Sequence, residues 1–171
     1  MTATTTGGLG IEDATVTYGP VIGIEDITMT VRAGEVVALL GPSGCGKSTL
    51  LRAIAGLEPL AAGRILWDGQ DLAPVPVHRR GFGMVFQDGQ LFTTMTVARN
   101  IGYGLTGMAR AARQERVTEM LELVGLPDYG DRRVTELSGG QAQRIALARS
   151  LAPRPRMLLL DEPLSAVDTS L

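Results

Sequence analysis

Residues 41–49 read Gly-Pro-Ser-Gly-Cys-Gly-Lys-Ser-Thr. They stand between a continuous apolar run at 36–40 and a segment, 48–57, whose sequence suits a helix ending near Gly56. No other feature of the chain constrains its fold as strongly. Glycines let backbone amides turn inward and approach an anion closely. A helix N-terminus adds amides that have no intrahelical acceptor, together with the positive end of the helix dipole. A strand, glycine-rich turn and helix in this order make a phosphate cradle. The candidate phosphate-binding residues are Gly41, Pro42, Ser43, Gly44, Cys45, Gly46, Lys47, Ser48 and Thr49. Lys47 is the only lysine among 16 basic residues, and it occupies the place where a flexible point charge reaches the β- and γ-phosphates. Arginine's planar fork would be a poor substitute in the centre of such a loop. The Ser48 hydroxyl is a candidate ligand of Mg²⁺. The alternative is a chance glycine-rich turn, and the placement of the sole lysine argues against it.

Ahead of the cradle, residues 11–18 and 24–31 alternate near period two with Thr, Val and Ile, as half-buried strands do. The run at 36–40 reads as a central strand buried on both faces, the habit of parallel sheets. Residues 64–67 and 70–72 read as strands about an Asp68-Gly69 turn, and 82–86 as a further short strand. Beyond Gln87 the pattern becomes helical, with helices predicted over 97–105, 109–124 and 141–152. Residues 157–160 return to a buried strand that ends in Asp161-Glu162.

Nucleotides bind at the carboxyl ends of strands in open α/β sheets, so both acids are expected near the cradle. Asp161 suits Mg²⁺, and Glu162 suits the orientation or deprotonation of an attacking water. Ser138, Gly139, Gly140 and Gln141 precede the last predicted helix and form a second anion device on the same physical grounds. One chain with two cradles either binds two anions or shares a nucleotide with a second chain.

The composition narrows the classes. With 171 residues, 44% hydrophobic and 20% charged, the chain suits one globular domain. A net charge of −2 gives no electrostatic footprint for nucleic acid. Cys45 is the only cysteine, which excludes an internal disulfide and suits a reducing compartment. No apolar run is long enough to span a bilayer, and residues 1–10 do not read as a signal peptide.

Leu137-Ser-Gly-Gly-Gln141 with Arg144 after it, set between the phosphate cradle and Met157-Leu-Leu-Leu-Asp-Glu-Pro163, resembles the signature of ABC ATPases. The chain is similar to the nucleotide-binding subunit of an ABC transporter, of importer type, from about residue 11 to its last residue. The resemblance implies an α/β P-loop NTPase (RecA-like) core with an antiparallel β subdomain and a helical insertion. The implied division is 1–87 with 151–171 as core, and 88–150 as helical subdomain. It implies ATP and Mg²⁺ as cofactors, Tyr18 stacked on adenine, and Gln87 as a further catalytic residue that ligates Mg²⁺ and senses the membrane partner. It also implies that Asp168, in Ser165-Ala-Val-Asp168, crosses between subunits. Two chains stacked head to tail would set the Lys47 cradle of one against residues 138–141 of the other.

The expected function is an ATP-binding and ATP-hydrolysing subunit that powers an importer of a small solute or ion. Its implied partners are a second ATPase chain, transmembrane permease subunits and, through them, a solute-binding protein. The expected location is cytoplasmic, peripheral to the cell membrane. The family's switch histidine lies farther along than this chain extends, and the only histidine, His78, reads as a surface residue. The fold is therefore expected to be incomplete at the C-terminus, with nucleotide binding reduced and hydrolysis weak or absent. Two alternatives are a nucleotide-binding module without turnover and an ABC ATPase of DNA repair. The latter's inserted coiled coils or zinc modules find no counterpart between the cradles, where there are neither sustained heptads nor a further cysteine.

Overall fold

The computed structural model of the chain describes residues 7–86 and 90–162. They fall into two compact units, Met1–Gly81 and Phe82–Leu171.

The first unit is built on a four-stranded antiparallel sheet in the order β2-β1-β3-β4. Strands β1 (Gly8–Tyr18) and β2 (Val21–Arg32) form a hairpin joined at Gly19 and Pro20, where Gly19 has φ 60°. Both strands extend beyond their predicted bounds, β1 by residues 8–10 and β2 by residues 21–23 and Arg32, because cross-strand pairing continues through glycines that interrupt the period-two signal. The ladder bends where Asp13 (φ 49°) and Asp26 (φ 52°) enter the left-handed region. The Thr28 hydroxyl accepts from the Asp13 amide at 2.9 Å, and that of Thr15 accepts from the Asp26 amide at 3.1 Å. These threonines satisfy amides that the bulges withdraw from the ladder. Strands β3 (Ala62–Trp67) and β4 (Gln70–Asp71) meet through Asp68-Gly69, both at positive φ as a tight hairpin requires. Leu9, Ile11, Ala14 and Val16 line the buried face of β1.

Helix α1 (Lys47–Ala55) buries Leu50, Ala53, Ile54 and Ala55 and packs on β2. The apolar run at 36–40 does not form the expected buried strand. Residues 35–42 belong to no helix or strand, and Val36 and Leu40 are 96% and 91% exposed. An apolar run records a need for burial but not which ladder partner meets it, and among the described residues these five pair with none.

The second unit pairs β5 (Phe82–Val85) in parallel with β6 (Met157–Leu160). Helices α2 (Val97–Ile101), α3 (Arg110–Leu123) and α4 (Gly139–Leu151) lie between them in sequence. Their apolar faces share one core, centred on Val97, Ile101, Val117, Leu121 and Ile145. Helix α2 is shorter than predicted because Gly102–Gly104 tightens into a 3-10 turn. Asn100 is fully buried at its base. Its carboxamide accepts from the Phe92 amide at 2.8 Å and donates to the Phe92 and Thr96 carbonyls at 3.1 and 3.0 Å. That one side chain ties the loop before α2 to the helix. Among the described residues, no helix is long and apolar enough to cross a membrane.

Candidate nucleotide-binding site

The cradle is made by what α1 lacks at its start. Its N-cap is Gly46, no side chain caps the first turn, and no acidic residue lies there. The cap residue therefore offers the first-turn amides no side-chain acceptor, and no acid within the first turn offsets the positive dipole end. Glycine is required at two positions. Gly44 and Gly46 have φ 82° and 92°. A Cβ at Gly46 would lie 2.5 Å from the Gly23 carbonyl oxygen and 2.6 Å from Ile24 Cγ2, so the loop closes directly on the β2 backbone.

Lys47 Nζ donates to the Gly41 and Pro42 carbonyls at 2.9 and 2.8 Å. The ammonium thus sits across the mouth of its own loop, 3.7 Å from Cys45 Sγ. Those contacts are made to exposed neutral carbonyls, and a phosphate's charge would attract the ammonium more strongly than they do.

Tyr18 lies beside this turn. A Cβ added at Gly23 would approach the Tyr18 ring to 2.9 Å and Thr49 Cγ2 to 3.1 Å. The ring, the first turn of α1 and the Gly23 backbone therefore converge. The ring is 44% exposed, leaving a face open to a planar group. The first unit thus brings together Tyr18, the 41–49 loop and Thr49. Sequence reasoning missed Gly23, since a glycine inside an alternating strand carries no signal of what rests on it.

The second unit holds the other predicted residues. Ser138 caps α4, which begins at Gly139, two residues earlier than predicted, because the cap makes both glycines helical. The Ser138 hydroxyl accepts from the Gln141 amide at 3.3 Å, and Gln141 Oε1 accepts from the Ser138 amide at 3.0 Å. Gln141 Nε2 donates to the Tyr129 hydroxyl at 3.1 Å, and the Arg132 guanidinium covers the Tyr129 ring. Apart from the chain neighbours and the helix's own backbone, no atom of the described residues lies within 4 Å of where a Cβ at Gly139 or Gly140 would stand. Asp161 is buried just past β6, with its amide donating to the Val85 carbonyl at 3.0 Å. Glu162 is exposed at φ 48°. Gln87 and Asp168 lie outside the described residues. His78 is exposed on a single 3-10 turn, as the sequence suggested.

The donor chemistry fits a nucleoside triphosphate with Mg²⁺. Within the first unit it combines a helix start on a glycine cap, an ammonium on a glycine loop, a neighbouring aromatic face and a hard oxygen donor in Ser48. Among the described residues no three His, Cys, Asp or Glu converge to hold a metal.

Comparisons with known proteins agree with this geometry. Residues 24–165 match the family described as ABC transporter. The chain is 55% identical over 165 residues to the "Fe(3+) ions import ATP-binding protein FbpC" of Streptomyces coelicolor, covering 95% of this chain and 47% of that protein. It is 49% identical over 165 residues to the "Putrescine transport ATP-binding protein PotG" of Escherichia coli, covering 95% and 44%. The chain thus spans about half the length of the curated relatives it matches. A solved structure, described as the dimeric post-hydrolysis state of the ATP-binding cassette MJ0796 bound to ADP and Pi, aligns with TM-score 0.86. That alignment has 30% identity and covers 94% of this chain and 76% of the other. The α/β P-loop NTPase fold expected from the motifs is therefore the fold of this chain.

Proposed function

The chain belongs to the ABC transporter family, and we propose that it binds Mg-ATP at the α1 cradle and hydrolyses it to power an importer. The observation that carries this reading is the start of α1, a helix terminus without cap or acid, closed by glycines and crossed by the only lysine. Residues 41–49 would hold the triphosphate, and Tyr18 would stack on adenine. Ser48, Gln87 and Asp161 would hold Mg²⁺, which supplies charge neutralisation between the β- and γ-phosphates when bound. Glu162 would take the proton of the attacking water.

Ser138, Gly139, Gly140, Gln141 and Asp168 serve a second copy in this reading. The space left open at Gly139 and Gly140 among the described residues supports that assignment. Residues 88–150 are the helical subdomain, and 1–87 with 151–171 the core. Permease subunits, and through them a solute-binding protein, complete the machine at the cytoplasmic face of a membrane. Nucleic acid is not a partner, in keeping with the net charge of −2. The relatives are named for Fe(3+) and putrescine, so the proposed cargo is a small solute or ion.

Sedimentation velocity tests the reading. With turnover blocked by Glu162→Gln, Mg-ATP should convert monomer to dimer, and Lys47→Ala should abolish the conversion. A sedimentation coefficient indifferent to Mg-ATP would contradict it.

A further inference from the structure

The N-terminal end of α1 offers itself to an anion, so its position depends on what holds the other end. The last four carbonyls of α1, from Arg52 to Ala55, have no partner within the helix. Gly56, in the left-handed region at φ 84°, donates to Ala53, and the Leu57 amide donates to Arg52 at 2.8 Å. The Ile54 carbonyl is met by Arg80 Nη1 at 2.9 Å. The same guanidinium donates through Nη2 to the Leu72 carbonyl at 3.0 Å and through Nε to the Val75 carbonyl at 3.1 Å. Arg80 therefore fastens the end of α1 to the segment that follows β4.

Three features mark this as more than filling. Arg80 is 8% exposed, and its burial pulls the guanidinium below its ordinary pKa, opposed by the charge of Asp71. A buried cation is rarely the most stabilising occupant of such a place, and apolar residues of similar volume often serve better. The fork needs room, since a Cβ at Gly56 would stand 2.5 Å from Arg80 Cζ. Finally, a cation at a helix C-terminus reinforces the helix whose other end is the cradle.

We propose that Arg80 is a positioning residue for the phosphate cradle, setting the place of the α1 N-terminus by clamping its C-terminus. This rests on the cradle reading above. Arg80 meets α1 at the end opposite the cradle. It acts through α1, and a Lys at this position could reach one carbonyl but not three.

The test compares the intact chain with Arg80→Met, Arg80→Lys and Lys47→Ala. Mg-ATP affinity is measured with a fluorescent ATP analogue, at a temperature where circular dichroism shows each variant folded. Hydrogen exchange of the amides of residues 47–50 is followed in parallel. Arg80→Met should weaken binding about tenfold while remaining folded, and Arg80→Lys should fall between it and the parent, as expected when a remote support shifts a binding geometry. Exchange at 47–50 should quicken in both. If Arg80→Met does not fold, Arg80→Lys carries the test, since it keeps charge and stem. Parental affinity and exchange in a folded Arg80 variant, beside lost binding in Lys47→Ala, would overturn the positioning role alone. Undiminished binding in Lys47→Ala would overturn the cradle reading and this role with it.

Discussion

Two helices of this chain start on glycine-bearing turns, and they treat their first amides in opposite ways. At α1 the cap is Gly46, with no side chain and no acid nearby. At α4 the cap is Ser138, and Ser138 and Gln141 close reciprocally on each other's amides. One terminus looks outward for its satisfaction, and the other supplies much of its own. The glycines differ in the same sense. Gly46 is demanded by the chain itself, through its φ of 92° and the Gly23 carbonyl. Gly139 and Gly140 face open space among the described residues, so no neighbour there demands them. The lesson is that sequence similarity between two anion devices hides a division of labour. In the proposed reading the first would hold a ligand alone, and the second, rigidified beforehand, would meet one held by a second copy.

That contrast can be attacked at each glycine. Gly46→Ala should have the largest effect, a loss of Mg-ATP affinity of about a hundredfold, because both its backbone conformation and its neighbours exclude a methyl group. Equilibrium binding of a fluorescent ATP analogue reads this. Tyr18→Ala should weaken the same binding by about tenfold, the worth of one stacked base, while leaving inorganic tripolyphosphate binding unchanged. Ser138→Ala should spare nucleotide binding but cost about 1 kcal/mol in urea unfolding, the ordinary value of an N-cap. Gly139→Ala should alter stability by only a few tenths of a kcal/mol, or raise it slightly, since alanine is the better helix former. It should nonetheless block Mg-ATP-driven dimerisation in sedimentation. Unchanged dimerisation there would erase the distinction between the two helices.

Much of this was legible because several boundaries carry local chemistry. Gly56 ends α1, and the Asp68-Gly69 pair turns the β3–β4 hairpin. The glycine loop at the start of α1 was legible for the same reason, as its glycines and lysine are contiguous. What escaped was the long-range part. The run at 36–40 announced burial, yet whether it forms a strand depends on a partner that no local pattern names. Gly23 and Arg80 gave no signal, one being a glycine in a strand and the other one of many arginines. The preference for arginine acquires a structural meaning only in three dimensions. Arg144 donates to the Val124 carbonyl at the end of α3. Arg116 donates to the Leu151 and Ala152 carbonyls at the end of α4, as Arg80 does for α1. A forked donor can satisfy several such carbonyls together, which an ammonium does less well.

Equilibrium titration of the purified chain with Mg-ATP, with and without Lys47→Ala, bears most directly on the whole account. The parent should bind the triphosphate more tightly than AMP, and the variant should lose that preference by at least about tenfold, the scale of a charge-assisted phosphate contact. A Lys47→Ala chain that kept the parent's affinity and its discrimination between ATP and AMP would contradict it.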